Sequence, residues 1–132
     1  MKYAHAAGKR KTSIAKATVS EGRGIIRINA NLLDNYMPEI SRMRIQEPLI
    51  LAGELSKKVN INVKVESGGF QSQTEAVRLS IARALVAFSK DMNLKKTFLE
   101  YDRNLLVHDS RYKEQRKPND SKARAGRQKS YR

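Results

Sequence analysis

The last 23 residues of this chain, Ser110 to Arg132, cannot build a core of their own, and this confines folding to what precedes them. Arg111, Lys113, Arg116, Lys117, Lys122, Arg124, Arg127, Lys129 and Arg132 face only Glu114 and Asp120, a surplus of seven positive charges. The apolar side chains there, Tyr112, Ala123, Ala125 and Tyr131, fall at no helical or strand period. Ordering backbone costs roughly 1–2 kcal/mol per residue, and nothing in the segment can offset that. The sequence therefore predicts a globular part, residues 1–109, and a basic tail, residues 110–132, that stays an open arm until a strongly anionic partner orders it.

The rest of the charge points the same way. Of a net charge of +14, residues 1–16 supply five cations and no acid, whereas residues 17–109 are nearly balanced with 13 cations and 11 acids. A basic excess segregated to both ends reads as a polyanion contact, since solubility requires no segregation. There is no cysteine, which excludes disulfides, thiolate chemistry and cysteine-based zinc sites. No apolar run approaches the roughly 18–20 residues of a membrane span, and the N-terminus lacks the apolar stretch of a signal peptide. The expected location is the cytoplasm, with no membrane partner and no homo-oligomer.

Along the chain, Tyr3 to Ala7 and Ser13 to Val19 read as short strands around a basic turn, Gly8-Lys9-Arg10-Lys11, whose glycine allows the bend. Glu21-Gly22-Arg23-Gly24 is a hairpin signal leading into a strand at Ile25 to Ile28. Asn29 or Asn31 can cap a short helix that Pro38 stops. Ser41 can start another, with Ile45, Leu49 and Ala52 at helical spacing and Pro48 splitting it into two pieces; Leu49-Ile50-Leu51 reads as core. Val59, Ile61, Val63 and Val65 alternate with polar residues, the clearest strand of the chain. After Ser67-Gly68-Gly69-Phe70-Gln71, the spacing Ser72-Gln73-Thr74-Glu75 matches a capping box. It opens a helix over 73–89 whose Val77, Ile81, Leu85 and Phe88 face the sheet, while Arg78 and Arg83 point elsewhere. Leu94 to Tyr101 can make further helical turns, and Leu105-Leu106-Val107 suits a last strand or a docking segment.

No assembled active site emerges. The glycine loop at 67–72 ahead of a helix start can cradle an anion. It lacks the Gly-Lys-Ser/Thr of a P-loop and the third glycine of a dinucleotide fold, so it reads either as a packing turn or as a backbone contact to phosphate. His5 and His108 have no partner at metal or triad spacing, and Glu100 and Asp102 are too close in sequence to work as a pair. No cofactor and no metal is implied. For the tail, a solvated end, a nuclear-import signal, a membrane arm and a nucleic-acid arm are the alternatives. The absence of an amphipathic period disfavours the membrane. Arginine, with Tyr112 and Tyr131 able to stack, favours nucleic acid, and RNA over DNA because no recognition helix is present. A small phosphotransferase using the 67–72 loop and a DNA-binding basic arm protein are the competing functions.

Six ordered motifs carry a resemblance over essentially the whole chain: Gly8 to Ala15, Glu47-Pro48-Leu49, Ser67-Gly68-Gly69, Ile81-Ala82-Arg83-Ala84-Leu85, Tyr101 to Val107, and the closing Gln128-Lys129-Ser130-Tyr131-Arg132. The chain resembles the ninth protein of the small ribosomal subunit, with the Ser-Tyr-Arg ending of archaeal and eukaryotic members and a length that favours an archaeal source. Family members commonly carry a third glycine in the loop, where this chain has Ser67 or Phe70. The resemblance implies an α+β fold, a mixed and mainly antiparallel sheet with helices on one face and a left-handed β-α-β crossover. It implies a place in the ribosome, in the head of the small subunit, on the 3′ major domain of the rRNA beside neighbouring head proteins. The tail end would then reach the anticodon-loop backbone of peptidyl-site tRNA through Arg132, with Lys129 and Tyr131 beside it. Contacts to rRNA are expected from Gly8, Lys9, Arg10 and Lys11, from Ser67, Gly68, Gly69 and Gln71, and from Arg111, Lys113, Arg116, Lys117, Lys122, Arg124 and Arg127.

Overall fold

A computed structural model describes residues 2–118 together with Ala123, Ser130 and Tyr131. The elements are β1 (Tyr3–Arg10), β2 (Ser13–Glu21), β3 (Ile26–Ile28), β4 (Asn31–Leu32), α1 (Glu39–Ala52), α2 (Glu54–Lys57), β5 (Val59–Glu66), α3 (Phe70–Ser89) and α4 (Met92–Tyr101), with 3-10 turns at Leu33–Asn35 and Arg103–Leu105. The sheet order is β1-β2-β5-β3-β4, antiparallel except for the β3–β5 pair, which α1 and α2 connect as a parallel crossover. The α+β architecture expected of the sequence is the one observed.

The alternation in β5 works as read: Val59, Ile61, Val63 and Val65 are buried and their neighbours face out. Ala15, Ala17 and Val19 of β2 and Ala4 of β1 join them on one face, under α3. The small residues there let the helix come close. Val77, Ile81, Leu85 and Phe88 are buried as expected. α3 is also buried on its other sides, so Ala76, Leu79, Ser80 and Ala82 are closed off as well. The helices pack on this side, and among the described residues the opposite face of the sheet is open except at Lys9, which the Tyr112 ring approaches.

Several expectations are corrected. Gly8, Lys9 and Arg10 are ladder residues, paired with Ala15, Ile14 and Ser13, and the bend falls at Lys11 and Thr12, with Lys11 at φ 51°. Gly8 is not a hinge. A Cβ there would meet the Ala76 carbonyl oxygen at 2.3 Å, so this glycine is required by the approach of α3. The glycines after β2 do not return the chain to β2 either. The Asn60 side chain accepts hydrogen bonds from the Arg23 and Ile25 amides at 2.9 and 3.1 Å, which lays this segment along β5 and makes β3 a parallel neighbour of β5.

Asn29 caps no helix. Its side-chain amide donates to the Val65 carbonyl and accepts from the Val65 amide, extending the pairing with β5. Pro48 does not split α1, which runs through it: the ring removes one helical hydrogen bond, and packing of Ile45 and Leu49 holds the rest. Ile50 of the expected core is exposed. The capping box is not used, because α3 begins earlier with Gly69 as its cap residue and no side-chain cap. Leu105 closes a 3-10 turn, buried against the core, so residues 105–107 dock and do not form a strand.

Candidate nucleic-acid interface

The three stretches singled out as rRNA contacts come together around one cleft. The β1–β2 turn, the glycine loop with the start of α3, and the root of the tail line a groove of about 950 Å³ through Arg10, Lys11, Phe70, Gln71, Asp109 and Arg111. Gly68, at φ 70°, is packed on the turn, since a Cβ there would lie 2.0 Å from Ser13 Oγ. Ser13 Oγ in turn donates to the Ser67 carbonyl at 2.9 Å, which Gln73 Nε2 also approaches at 3.1 Å. The loop is therefore a rigid splice between turn and helix. A Cβ at Gly69 would meet open space, and no side chain caps the first amides of α3, which gives this helix start the character of an anion site.

The tail root is clamped to β1. Arg10 Nη1 donates to the Arg111 carbonyl at 3.0 Å and Arg10 Nη2 lies 3.5 Å from Asp109. Arg111 forks onto the same carboxylate through Nε and Nη2, at 3.0 and 2.7 Å, and its amide donates to Asp109 Oδ1. These hydrogen bonds from Arg111, with the charge of Arg10 added, hold the Asp109 carboxyl well below the usual carboxylate range. Lys9 sits over the Tyr112 ring, 5.6 Å from its centroid. Of the candidate rRNA contacts, Arg10 is thus mostly enclosed and holds the tail. Lys9, Lys11, Gln71, Arg111, Lys113 and Arg116 are outward-facing residues.

Two arginines support this clamp from beneath: Arg78 points away from the sheet as expected, whereas Arg83 reaches the β1 backbone. Arg78, 7% exposed, donates to Glu47 of α1 at 2.7 Å and to Asp102 at 3.0 Å. Burial alone would lower its pKa; the hydrogen bonds to Asp102 and Glu47 outweigh that and shift it upward. Arg83 donates to the Leu106 and Ala7 carbonyls at 2.9 and 3.0 Å, stapling the segment before the tail to β1. Helical spacing alone puts Arg78 on the flank of the apolar stripe and does not reveal its partners.

Over residues 8–132 the sequence matches the family described as ribosomal protein S9/S16. It is 47% identical to the small ribosomal subunit protein uS9 of Methanococcus maripaludis and to that of Methanococcus vannielii, with 100% of each chain covered. The chain belongs to the ribosomal protein S9 family. The family motifs now acquire physical content: Glu47, Arg83 and Asp102, each inside one of them, are the residues that meet α3 or hold the segment leading to the tail. Ser67, at φ 65°, occupies a left-handed position where a third glycine would fit without strain.

His5 lies on β1 with Nδ1 3.0 Å from Thr18 Oγ1, and half-buried His108, outside any strand, has no hydrogen-bond partner on Nε2. No group of metal-ligating side chains occurs among the described residues, and no described helix is long and apolar enough to cross a membrane. Lys122, Arg124, Arg127, Lys129 and Arg132 lie outside the described residues. Of the candidate tRNA contacts only Tyr131 is described, and its ring is exposed. Residues 110–116 carry no regular structure, although the clamp fixes where they start.

Proposed function

We propose that this protein is a structural constituent of the small ribosomal subunit that binds rRNA and carries no catalytic role. Membership in a ribosomal family supports the assembly, and the clamped root of a core-less basic tail supports the mechanism. Within that reading, Lys11, the uncapped amides behind Gly69, and Lys113 and Arg116 of the tail contact rRNA phosphates in the head, on the 3′ major domain. Arg10 and Asp109 aim the arm. Lys117, Lys122, Arg124 and Arg127 continue the contacts, and Lys129, Tyr131 and Arg132 meet the anticodon-loop backbone of peptidyl-site tRNA. Phosphate contacts position a partner without reading its sequence, which suits a site that must accept every tRNA.

The observation that carries the proposal is the geometry of the tail: a rigid exit point followed by cations with no core of their own. Titration with small-subunit rRNA fragments at several salt concentrations tests it. If about six tail cations engage phosphates, affinity falls with a log–log slope of roughly −4 to −5. A flat response rejects the reading. Removing Lys129 to Arg132 should leave subunit assembly intact and speed tRNA loss from the peptidyl site, and unchanged tRNA off-rates reject the role given to the tip. Saturable ATP binding that is abolished by a bulky residue at Gly69 would instead favour the phosphotransferase reading.

A further inference from the structure

We infer that the open face of the sheet, remote from the helices, is a second rRNA-binding surface that reads the phosphate backbone of folded RNA. The residues on it follow from the strand register. Lys9, Ile14 and Glu66 form one row, Ala7, Lys16 and Lys64 the next, His5, Thr18, Asn62, Arg27 and Leu32 the third, and Tyr3, Ser20 and Asn60 the last. Lys16 and Lys64 are direct cross-strand partners, both exposed, and neither has an ion-pair partner among the described residues. Like charges placed opposite one another destabilise a sheet. Lysines at a sheet edge are explained by protection against strand addition. β2 and β5 are interior strands, so that explanation does not apply here.

The four cations of the face, Lys9, Lys16, Lys64 and Arg27, meet a single acid, Glu66, and this surplus selects a polyanion. The neutral side chains between them, Thr18, Asn62 and His5, are hydrogen-bonding groups that suit phosphate and ribose hydroxyls. The aromatic rings of the face, His5 in the third row and Tyr3 in the next, both stand on the edge strand β1, too few and too peripheral to stack a run of splayed bases, which argues against single-stranded RNA. The face also lacks the aromatic and methionine centre, free of lysine, that a protein partner would require. An RNA backbone supplies the charge that relieves the Lys16–Lys64 repulsion.

The inference rests on the reading of this protein as an rRNA binder, and the experiment separates the two. The full chain carrying Lys16→Gln and Lys64→Gln is titrated with small-subunit rRNA over a salt series, beside a control carrying Lys95→Gln and Lys96→Gln on the exposed side of α4. Both variants lose the same charge. The sheet-face variant should reduce the magnitude of the log–log salt slope by about 1.5, as expected for two lost phosphate contacts. Its melting temperature should equal or exceed that of the parent, which shows that the loss is not one of folding. The control should keep the parent slope. Equal slopes for parent and sheet-face variant overturn the inference, as does an equal reduction in the control. Loss of a head protein from reconstituted subunits with the rRNA slope intact assigns the face to a protein and overturns it too. If the parent itself shows no salt dependence, it is the underlying rRNA reading that fails.

Discussion

Replacing Gly8 with alanine separates a packing glycine from a turn glycine. The added methyl carbon would stand 2.3 Å from the Ala76 carbonyl oxygen and 2.8 Å from the Ser80 nitrogen, both backbone atoms of α3. Neither can rotate away. Reaching even the 3.0 Å below which such contacts essentially never occur requires α3 to withdraw from β1 by about 0.7 Å. Overpacking of this kind costs about 1–3 kcal/mol. A gap of 0.5–1 Å also forfeits roughly a quarter to a half of each dispersion contact across it, and the flanking Val77 and Ile81 are fully buried, which places the cost at the upper end. Against this, alanine in a strand conformation gains about 0.4–1 kcal/mol through the unfolded state. The net expectation is a loss of about 2–3 kcal/mol, or roughly 10–20 °C in melting temperature for a domain of this size. Urea and thermal unfolding followed by far-UV circular dichroism measure it. Below the melting range, rRNA affinity should match that of the parent. A variant as stable as the parent, or more stable, would falsify the packing role and return Gly8 to the bend.

Arg78→Leu leaves the Glu47 and Asp102 carboxylates facing each other; because both are partly exposed the loss should be about 2–3 kcal/mol, below the range for fully buried pairs. Adding Glu47→Gln and Asp102→Asn should recover more than half of it in denaturant unfolding, and no recovery would show that the charges are not coupled. Ser67→Gly removes left-handed strain of roughly 1–2 kcal/mol while increasing unfolded-state freedom, so stability should rise by up to about 1 kcal/mol; a clear fall would show that the serine side chain contributes a contact. The depressed Asp109 pKa means that the contribution of the clamp is full above the ordinary carboxylate pKa, near 4, declines below it, and is lost only as pH falls through the lower folded-state value. The Arg111 Nε–H signal should therefore keep its solvent protection from pH 7 down to pH 5 and lose it at pH 7 in Asp109→Asn; release between pH 7 and 5 contradicts the geometry.

What the sequence made legible was whatever one element decides alone. β5 and the buried stripe of α3 are set by local periodicity, and one face of each had to be inside. The place of β3 depends on Asn60, over 30 residues downstream, capturing the Arg23 and Ile25 amides, and a glycine-rich turn looks the same whichever strand its chain joins next. The partners of Arg78 were not legible because a helix packed on several sides has no polar face, so its charge had to find Glu47 and Asp102 on two other elements. The candidate interface divides similarly. Its cations were evident from residue type and from their segregation to the ends, but Arg10 and Asp109 stand at opposite ends of the domain, and only the fold shows that they aim the tail.

The clamp also explains how so simple an arm can act at a defined place. Residues 112 to 132 span at most roughly 70 Å when fully extended, and a free chain of that length would sample a large volume. Fixing its first residue on β1 removes part of that freedom before RNA is met. Once the domain is seated, each further phosphate contact is intramolecular, so a weak individual ion pair operates at the high effective concentration set by a short tether. Under the proposed tRNA role, the ordering cost then falls on assembly and not on each passing tRNA, provided the exit point holds. It follows that Asp109→Asn, which removes the carboxylate that holds Arg10 and Arg111 but keeps every cation and leaves Arg78 and Arg83 in place, should weaken the contribution of the tail more than loss of any single tail lysine. In the salt titration this appears as a lower affinity at a slope no shallower than that of the parent, because no cation is lost and only the pre-organisation of the arm is. A change in slope equal to that of a tail-lysine variant would instead make Asp109 part of the charge balance and deny it a role in aiming the arm.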